Sequence, residues 1–278
     1  MNPIAKICKL WSQWRDLRRI PLRLEFIVTD YCNLNCKGCT HYSPLAEKEF
    51  ADFDRMVMSM AHLGRIGGDK VAQVYLIGGE TLLYPRLVEA MEALRRHFTT
   101  QQLFVFTNGL LLPRMSDEFW ATASRLDITM ALTIYPIKFD YDAVQALCRE
   151  RGVRFEIFGD RSADNSFWRF ALDPTKSQNR RLAHFKCYNR GCVSIIGNRL
   201  YPCSISACVS HLNKAAGTDF RHESADWLAV DDITDIKQVK RLRDNPVPFC
   251  GYCVNPPSAT TYGPSRRLAS EWVNSSDS

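Results

Sequence analysis

A short loop with three cysteines follows the first clear strand of the chain, and it restricts the fold more than any other segment. Residues 22–29 alternate with a period of two and are largely apolar, which predicts a β-strand. Cys32, Cys36 and Cys39 follow with the spacing C-x3-C-x2-C. Three thiolates on so short a loop can converge on a single metal centre.

Two kinds of metal centre fit this loop. A structural zinc site would take the three thiolates with His41 as the fourth ligand. A [4Fe–4S] cluster would be closed only in part by three thiolates, so one iron would stay open for a ligand that is not protein. The loop alone leaves both alternatives open.

The chain after this loop alternates between helical and strand patterns. Apolar periodicity predicts helices over 54–66, from 85, over 116–124 and over 141–151, and strands over 73–78, 103–107, 127–134 and 153–158. Repeated β-α units predict an α/β fold with a parallel sheet and crossover helices. Ligands of such sheets bind at the carboxyl ends of the strands, where the cysteine loop also lies.

Two further motifs follow strands at this same edge of the sheet, Gly78-Gly79-Glu80 and Thr107-Asn108. Together with the cysteine loop they resemble the radical S-adenosylmethionine (SAM) superfamily. The resemblance implies that the loop cysteines hold a [4Fe–4S] cluster whose open iron binds the amino and carboxylate groups of SAM. It also implies that Gly78, Gly79 and Glu80 hold the SAM amino group, and that Thr107 and Asn108 contact its ribose or carboxylate.

Two positions depart from the pattern of that family. The residue before the third cysteine is usually aromatic and lies against the adenine, but here it is Gly38. We expect Tyr42 to supply that contact instead. The proline that often follows the glutamate is Thr81 in this chain.

A second group of cysteines lies in the C-terminal third of the chain: Cys187, Cys192, Cys203, Cys208, Cys250 and Cys253. A predicted hairpin turns at 197–198, a predicted helix covers 233–243, and a C-x2-C pair follows. This order resembles the twitch extension of radical SAM enzymes, the short form of the SPASM domain. The resemblance implies an auxiliary [4Fe–4S] cluster held by Cys203, Cys250, Cys253 and either Cys187 or Cys192. Cys187 is favoured because its 15-residue gap to Cys203 leaves room for both hairpin strands.

The expected architecture is a partial (β/α)6 TIM-like barrel with a small C-terminal extension of a β-hairpin and a helix. We divide the chain into residues 1–21, 22–183 and 184–278. Residues 4–20 predict a basic amphipathic helix, for which packing against the barrel is favoured over contact with a membrane surface. Residues 161–179 are expected to hold a sixth strand and a substrate loop.

The implied reaction begins with reductive cleavage of SAM to a 5′-deoxyadenosyl radical, which abstracts hydrogen from the substrate. Dehydrogenation of a carbinol is favoured, because the cysteine layout resembles that of the aminocyclitol dehydrogenase type. One alternative is epimerisation with a thiol as hydrogen donor, for which the candidates are Cys148, Cys192 and Cys208. Others are modification of a ribosomal peptide, an iron–sulfur electron carrier without enzymatic activity, and a zinc-binding structural protein.

The amino-acid composition limits the cellular locations and the binding partners that we expect. The chain has 278 residues, of which 46% are hydrophobic, and eleven are cysteines. We see no secretory leader or membrane span, and so many cysteines in a cytoplasmic protein favour metal binding over disulfides. The net charge of +6 suits a polar or anionic small-molecule substrate. We expect an external electron donor such as flavodoxin or ferredoxin, and no nucleic acid.

Overall fold

The computed structural model describes residues 21–160 and 165–274. The predicted N-terminal helix over 4–20, with its suggested membrane contact, lies outside the described residues. Within the described ranges, no helix has both the length and the apolar character needed to cross a membrane. The cytoplasmic location stays a prediction.

The predicted α/β fold with a mostly parallel sheet is confirmed. One sheet contains eight strands, five from the chain before residue 161 and three from the C-terminal segment. Its first five strands are parallel and follow one another along the chain. They are β1 (Arg23–Thr29), β2 (Gln73–Gly78), β3 (Leu103–Thr107), β4 (Ile128–Ile134) and β5 (Phe155–Asp160).

Four helices connect these strands, and three of them begin at a side-chain cap. They are α1 (Phe53–Gly67), α2 (Leu87–His97), α3 (Asp117–Arg125) and α4 (Tyr141–Glu150). Asp52, Ser116 and Asp140 accept hydrogen bonds from backbone N–H groups in the first turns of α1, α3 and α4. Each cap satisfies a donor that the helix leaves unpaired, which fixes where the helix begins.

The two faces of the sheet bury different side chains. Leu24, Val74 and Leu76 belong to the large core that the helices cover. Tyr75 and Phe104 point to the opposite face, because side chains alternate along a strand, and their rings meet edge to face at 5.3 Å. This aromatic cluster fills the face below the carboxyl ends of the strands.

The C-terminal segment joins the same sheet. Strand β7 (Ser194–Ile196) pairs parallel to β1, and β8 (Arg199–Tyr201) returns antiparallel to β7 as the expected hairpin. The buried Glu25 carboxylate accepts a hydrogen bond from the Ser194 hydroxyl at 2.9 Å. Strand β9 (Leu228–Ala229) ends the sheet. The boundary between residues 183 and 184 stays a prediction.

The strand expected in the 161–179 region is present but does not extend the sheet. Strand β6 (Ser166–Arg169) pairs antiparallel with β10 (Ser258–Thr261) and forms a separate two-stranded sheet. A partner about 90 residues downstream leaves no local pattern in the sequence, so the pairing was not predictable. The remaining helices are α5 (Arg180–Phe185), α6 (Ser204–Ala207), α7 (Val209–Ala216) and α8 (Ile236–Asp244).

Candidate active site and second cysteine cavity

The three-cysteine loop leaves β1 at the carboxyl edge of the sheet and turns back on itself. The amide of Cys39 donates to the carbonyl of Cys36 at 3.4 Å. Gly38 between them has φ +71°, a backbone conformation that residues other than glycine rarely adopt. This conformation gives a physical reason why an aromatic residue does not stand there. The Cys36 thiol lies 3.7 Å from the Tyr262 hydroxyl, so a C-terminal loop also contacts the site.

Gly78 and Gly79 let the end of β2 approach the start of this loop closely. A Cβ at Gly78 would lie 1.9 Å from the Thr29 carbonyl oxygen, and one at Gly79 would lie 2.3 Å from that of Asp30. The Gly79 amide donates to the Thr29 carbonyl at 2.7 Å. Only glycine permits this spacing, so the two glycines hold the cysteine loop against the sheet.

Glu80 is buried and organises the neighbouring strand end. Its carboxylate accepts hydrogen bonds from the Thr107 hydroxyl at 2.7 Å and from the backbone N–H groups of Asn108 at 2.9 Å and Leu82 at 3.0 Å. Burial raises the pKa of Glu80 to about 6, although these hydrogen bonds favour the ionised form. The side chain is only 1% exposed and does not line the pocket described next. The structure therefore gives no support to direct contact between the Glu80 carboxylate and a ligand.

A pocket of about 400 Å³ opens at this edge of the sheet. The three loop cysteines, both glycines, Thr107 and Asn108 all line it. Asn108 also donates to the Asn33 side chain at 2.7 Å, which ties the end of β3 to the cysteine loop. The rest of the lining is largely aromatic and includes Phe106, Tyr135, Phe158, Phe167, Trp168, Phe170 and Tyr188.

Tyr42 does not reach this pocket. Its side chain is 1% exposed, and its ring packs against that of Trp272 at a centroid distance of 5.9 Å. The structure therefore gives no support to the expectation that Tyr42 contacts an adenine. Tyr42 has φ 52°, and this left-handed turn directs the side chain into the C-terminal core instead.

Four cysteines of the C-terminal segment line a second cavity: Cys187, Cys203, Cys250 and Cys253. Cys187 follows α5, Cys203 follows β8, and the C-x2-C pair lies at the short helix Pro248–Gly251. The remaining walls are mainly apolar, with Leu172, Ile205 and Phe249 among them. Burial raises the pKa of all four thiols, to about 11 for Cys250.

Cys192 does not line the second cavity. Its thiol lies against the Glu25 carboxylate on β1, and desolvation followed by that neighbouring charge raises its pKa well above the ordinary value. Cys187 lies in the cavity and Cys192 does not, in agreement with the sequence-based preference for Cys187 as the fourth ligand of the auxiliary cluster. The ligand assignment itself stays a prediction.

The second cavity suits a group with several hydrogen-bond acceptors. Asn189 and Arg190 both line it, and the Asn189 Nδ2 and Arg190 Nε atoms are buried with no hydrogen-bond partner within residues 21–160 and 165–274. Thiolate and sulfide sulfurs of an iron–sulfur cluster would accept from both donors.

The three candidate hydrogen donors lie outside the lining of the first pocket, although Cys208 contacts His41, which belongs to that lining. Cys148 is fully buried in the large core under α4, Cys192 lies beside Glu25, and Cys208 is fully buried beside Asp30. None of the three lines the pocket of about 400 Å³. Their expected role as donors to a substrate there has no support in the geometry.

Sequence reasoning missed a polar network between the two sites. The Asp30 carboxylate pairs with His41 at 3.0 Å and with His211 on α7 at 2.9 Å, and the Cys208 thiol lies 3.4 Å from it. Burial opposes the ionisation of Asp30, but the hydrogen bonds from His211 and His41 hold its pKa well below its ordinary range. The sequence signal for this network was weak: Cys208 lies directly before α7 and His211 lies in its first turn, three residues later.

The fold and the site together define a class of protein, a partial α/β barrel with a cysteine-lined pocket at the carboxyl ends of its strands. Residues 26–156 match the family described as the radical SAM superfamily. Over this segment, just under half of its length, the chain is similar to the radical SAM superfamily, whose enzymes use a [4Fe–4S] cluster and SAM.

Individual relatives are more distant. The chain is 30% identical over 123 residues to GTP 3′,8-cyclase of Heliobacterium modesticaldum, a match that covers 42% of this chain and 36% of that protein. It is 30% identical over 122 residues to Molybdenum cofactor biosynthesis protein 1 of Homo sapiens, over 42% of this chain and 19% of that one. The chain thus spans about a third or less of the length of these curated relatives.

One solved structure resembles the chain over most of its length. The crystal structure of BtrN in complex with AdoMet and 2-DOIA aligns with a TM-score of 0.53 at 15% identity. The alignment covers 84% of this chain and 93% of that one. At this identity the likeness establishes a common fold.

Proposed function

We propose that this radical SAM enzyme abstracts hydrogen from a small, polar, carbohydrate-like substrate and oxidises it. The observation that carries the proposal is the common wall of the two sites. Phe170 and Asn189 line both the pocket of about 400 Å³ and the four-cysteine cavity. A substrate in the first site would lie one residue layer from a redox group in the second.

In this proposal Cys32, Cys36 and Cys39 hold the SAM-binding cluster. The backbone of Gly78 and Gly79 faces the same pocket and is free of side chains, so it can approach the amino acid part of SAM. Thr107 and Asn108, at the end of the neighbouring strand β3, also line the pocket and are fixed by Glu80 and Asn33. Glu80 then acts as a positioning residue for Asn108.

Cys187, Cys203, Cys250 and Cys253 hold the auxiliary cluster in this proposal, with Asn189 and Arg190 as donors to its sulfurs. When bound, the two clusters and SAM would supply hydrogen-atom abstraction at the first site and a one-electron acceptor at the second. The protein orients the substrate between them. The aromatic wall excludes water from the reacting centre.

Oxidation is favoured over epimerisation by the positions of the thiols. A thiol that returns hydrogen to the substrate has to face the pocket, and Cys148, Cys192 and Cys208 do not line it. The four-cysteine cavity, in contrast, lies directly behind the pocket. The aminocyclitol dehydrogenase type is therefore the nearer precedent for the reaction.

The pocket lining supports a sugar-like substrate. Asn108, Thr133 and Asn189 offer hydrogen-bonding groups, while Phe158 and Trp168 offer apolar ring faces for the carbon skeleton. The solved BtrN complex contains 2-DOIA, which makes that compound a reasonable first probe for this chain. Hydroxylated cyclitols and sugar nucleotides complete the panel.

The test uses the reconstituted enzyme with SAM, dithionite and this panel in deuterated buffer without oxygen. We expect 5′-deoxyadenosine together with a carbonyl product that is lighter by the mass of H2 and carries no solvent deuterium at the reacting carbon. Recovered substrate with one deuterium at that carbon would identify an epimerase and overturn the oxidation. Mass spectrometry distinguishes the two outcomes in a single sample.

A further inference from the structure

We propose that a basic groove between α5 and α8 binds an acidic one-electron carrier protein, such as a flavodoxin or ferredoxin, next to the second cysteine cavity. The inference rests on the proposed function, because it needs a redox group in that cavity. The groove is defined by Arg181, His184, Phe185, Arg190, Lys237, Lys240, Arg241, Asp244, Asn245 and Pro246.

The groove carries a strong excess of positive charge. Five of its residues are cationic, and Asp244 is its one acid. That carboxylate already accepts a hydrogen bond from the Arg243 side chain at 2.7 Å. Lys237, Lys240 and Arg241 project from α8 as exposed side chains. Several positive charges around a concave surface attract a negatively charged partner and increase the rate at which it associates with the protein.

The groove and the four-cysteine cavity share a wall. His184 and Arg190 line both. The His184 ring is held by the Arg243 carbonyl at 3.1 Å, and Arg190 donates to the Phe185 carbonyl at 2.7 Å. One layer of side chains therefore separates the groove from the four thiols. Electron transfer weakens steeply with distance, so this is the favourable place for a carrier.

The proposed reaction releases an electron that such a partner can take. Cleavage of SAM consumes one electron at the first cluster. The adenosyl radical then takes one hydrogen atom from the carbinol, and the substrate radical loses one electron and one proton to become the carbonyl. The proton goes to water. In our proposal the electron leaves through the second site to the oxidised carrier protein at the groove, and the carrier reduced in this way can supply the electron that the next SAM cleavage consumes.

The surface also has the character of a transient interface. Leu182, next to Arg181 on α5, is 50% exposed, and Phe185 and Pro246 are apolar residues of the groove lining. A small apolar spot ringed by charge suits a partner that binds weakly and leaves quickly, as in electron-transfer complexes.

The test compares charge-reversal variants of the full-length protein. The groove variant carries Lys237→Glu, Lys240→Glu and Arg241→Glu, and a milder version carries Gln at the same positions. The matched control reverses three exposed cations elsewhere, with Lys70→Glu, Arg96→Glu and Arg114→Glu. Purified flavodoxin is the probe, and its affinity is measured at low and high salt.

We expect flavodoxin binding to weaken with salt in the wild type and to fall by about tenfold or more in the groove variant. The Gln version should show a smaller loss, and the control should stay within about twofold. Equal losses in the groove and control variants, or no loss in either groove variant, would overturn the proposal.

A second measurement places the binding beside the auxiliary site. In a background with Cys32, Cys36 and Cys39 changed to Ala, the reduced second cluster is mixed with oxidised flavodoxin and its reoxidation is followed by absorbance. The groove charge reversal should slow reoxidation, and an unchanged rate would contradict this location. If that background holds no cluster, the proposed function fails at the auxiliary site, whereas the affinity series still decides whether the groove binds the carrier.

Discussion

The Asp30 Oδ2 atom lies 2.9 Å from the His211 Nε2 atom, although 181 residues separate them in the chain. Asp30 follows β1 just before the cysteine loop, and His211 belongs to α7 of the C-terminal segment. The other Asp30 oxygen pairs with His41, just after the loop. Through these two pairs, the Asp30 carboxylate connects both ends of the cysteine loop to the segment that contains the second set of cysteines.

Asp30→Asn should loosen this connection. An amide offers one acceptor oxygen where the carboxylate offers two, so one histidine loses its partner in a buried place. We expect a loss of about 1–3 kcal/mol in the free energy of unfolding, measured by urea titration of the reconstituted protein without oxygen. Asp117→Asn removes an exposed ion pair with Arg151 and should cost about 0.5 kcal/mol or less. Equal losses in the two variants would contradict the role of Asp30.

The raised pKa of Glu80 predicts a pH dependence of stability. Its folded-state pKa of about 6 lies above the ordinary value of 4.5, so the folded protein binds this proton more tightly than the unfolded chain. The contribution of this proton to the free energy of unfolding is fully present below about pH 4.5. It falls as the pH rises towards about 6 and does not change further above that pH. We expect the free energy of unfolding of the wild type, relative to Glu80→Gln, to fall by about 2 kcal/mol over this range. A flat difference would contradict the raised pKa.

Gly79→Ala should damage the cysteine loop. The new Cβ would lie 2.3 Å from the Asp30 carbonyl oxygen and 2.5 Å from that of Tyr31, so the backbone would have to move. We expect a cost of about 1–3 kcal/mol and reduced loading of the first cluster, measured by iron content and absorbance. Gly263→Ala is the control, because nothing lies within 4 Å of its Cβ position. Normal loading in Gly79→Ala would show that the close approach is dispensable.

Cys187→Ser and Cys192→Ser form a matched pair for the second site. Cys187 lines the four-cysteine cavity and Cys192 lies beside Glu25, so only the first change should remove a ligand. We expect Cys187→Ser to lose about four irons and Cys192→Ser to keep them. The reverse result would move the ligand assignment to Cys192.

Local patterns predicted much of this molecule. The period-two strands, the crossover helices and the two cysteine sets all follow from the spacing of neighbouring residues. The side-chain positions of Tyr42, Glu80 and Cys192 depend instead on contacts with residues that are distant in the sequence. Trp272 covers Tyr42, Asn108 and Thr107 engage Glu80, and Glu25 lies against Cys192. No motif of a few residues can encode such contacts, and the same is true of the pairing between β6 and β10.

The most direct test of the account is SAM cleavage by a variant in which Cys32, Cys36 and Cys39 are all alanine. The wild type should hold about eight irons and release 5′-deoxyadenosine with dithionite, because two cubes of four are present. The variant should keep about four irons in the second cavity and release none of that product, while a control with Cys148→Ala, deep in the core, should still release it. Production of 5′-deoxyadenosine by the triple variant at the wild-type rate would contradict the assignment of the first cluster.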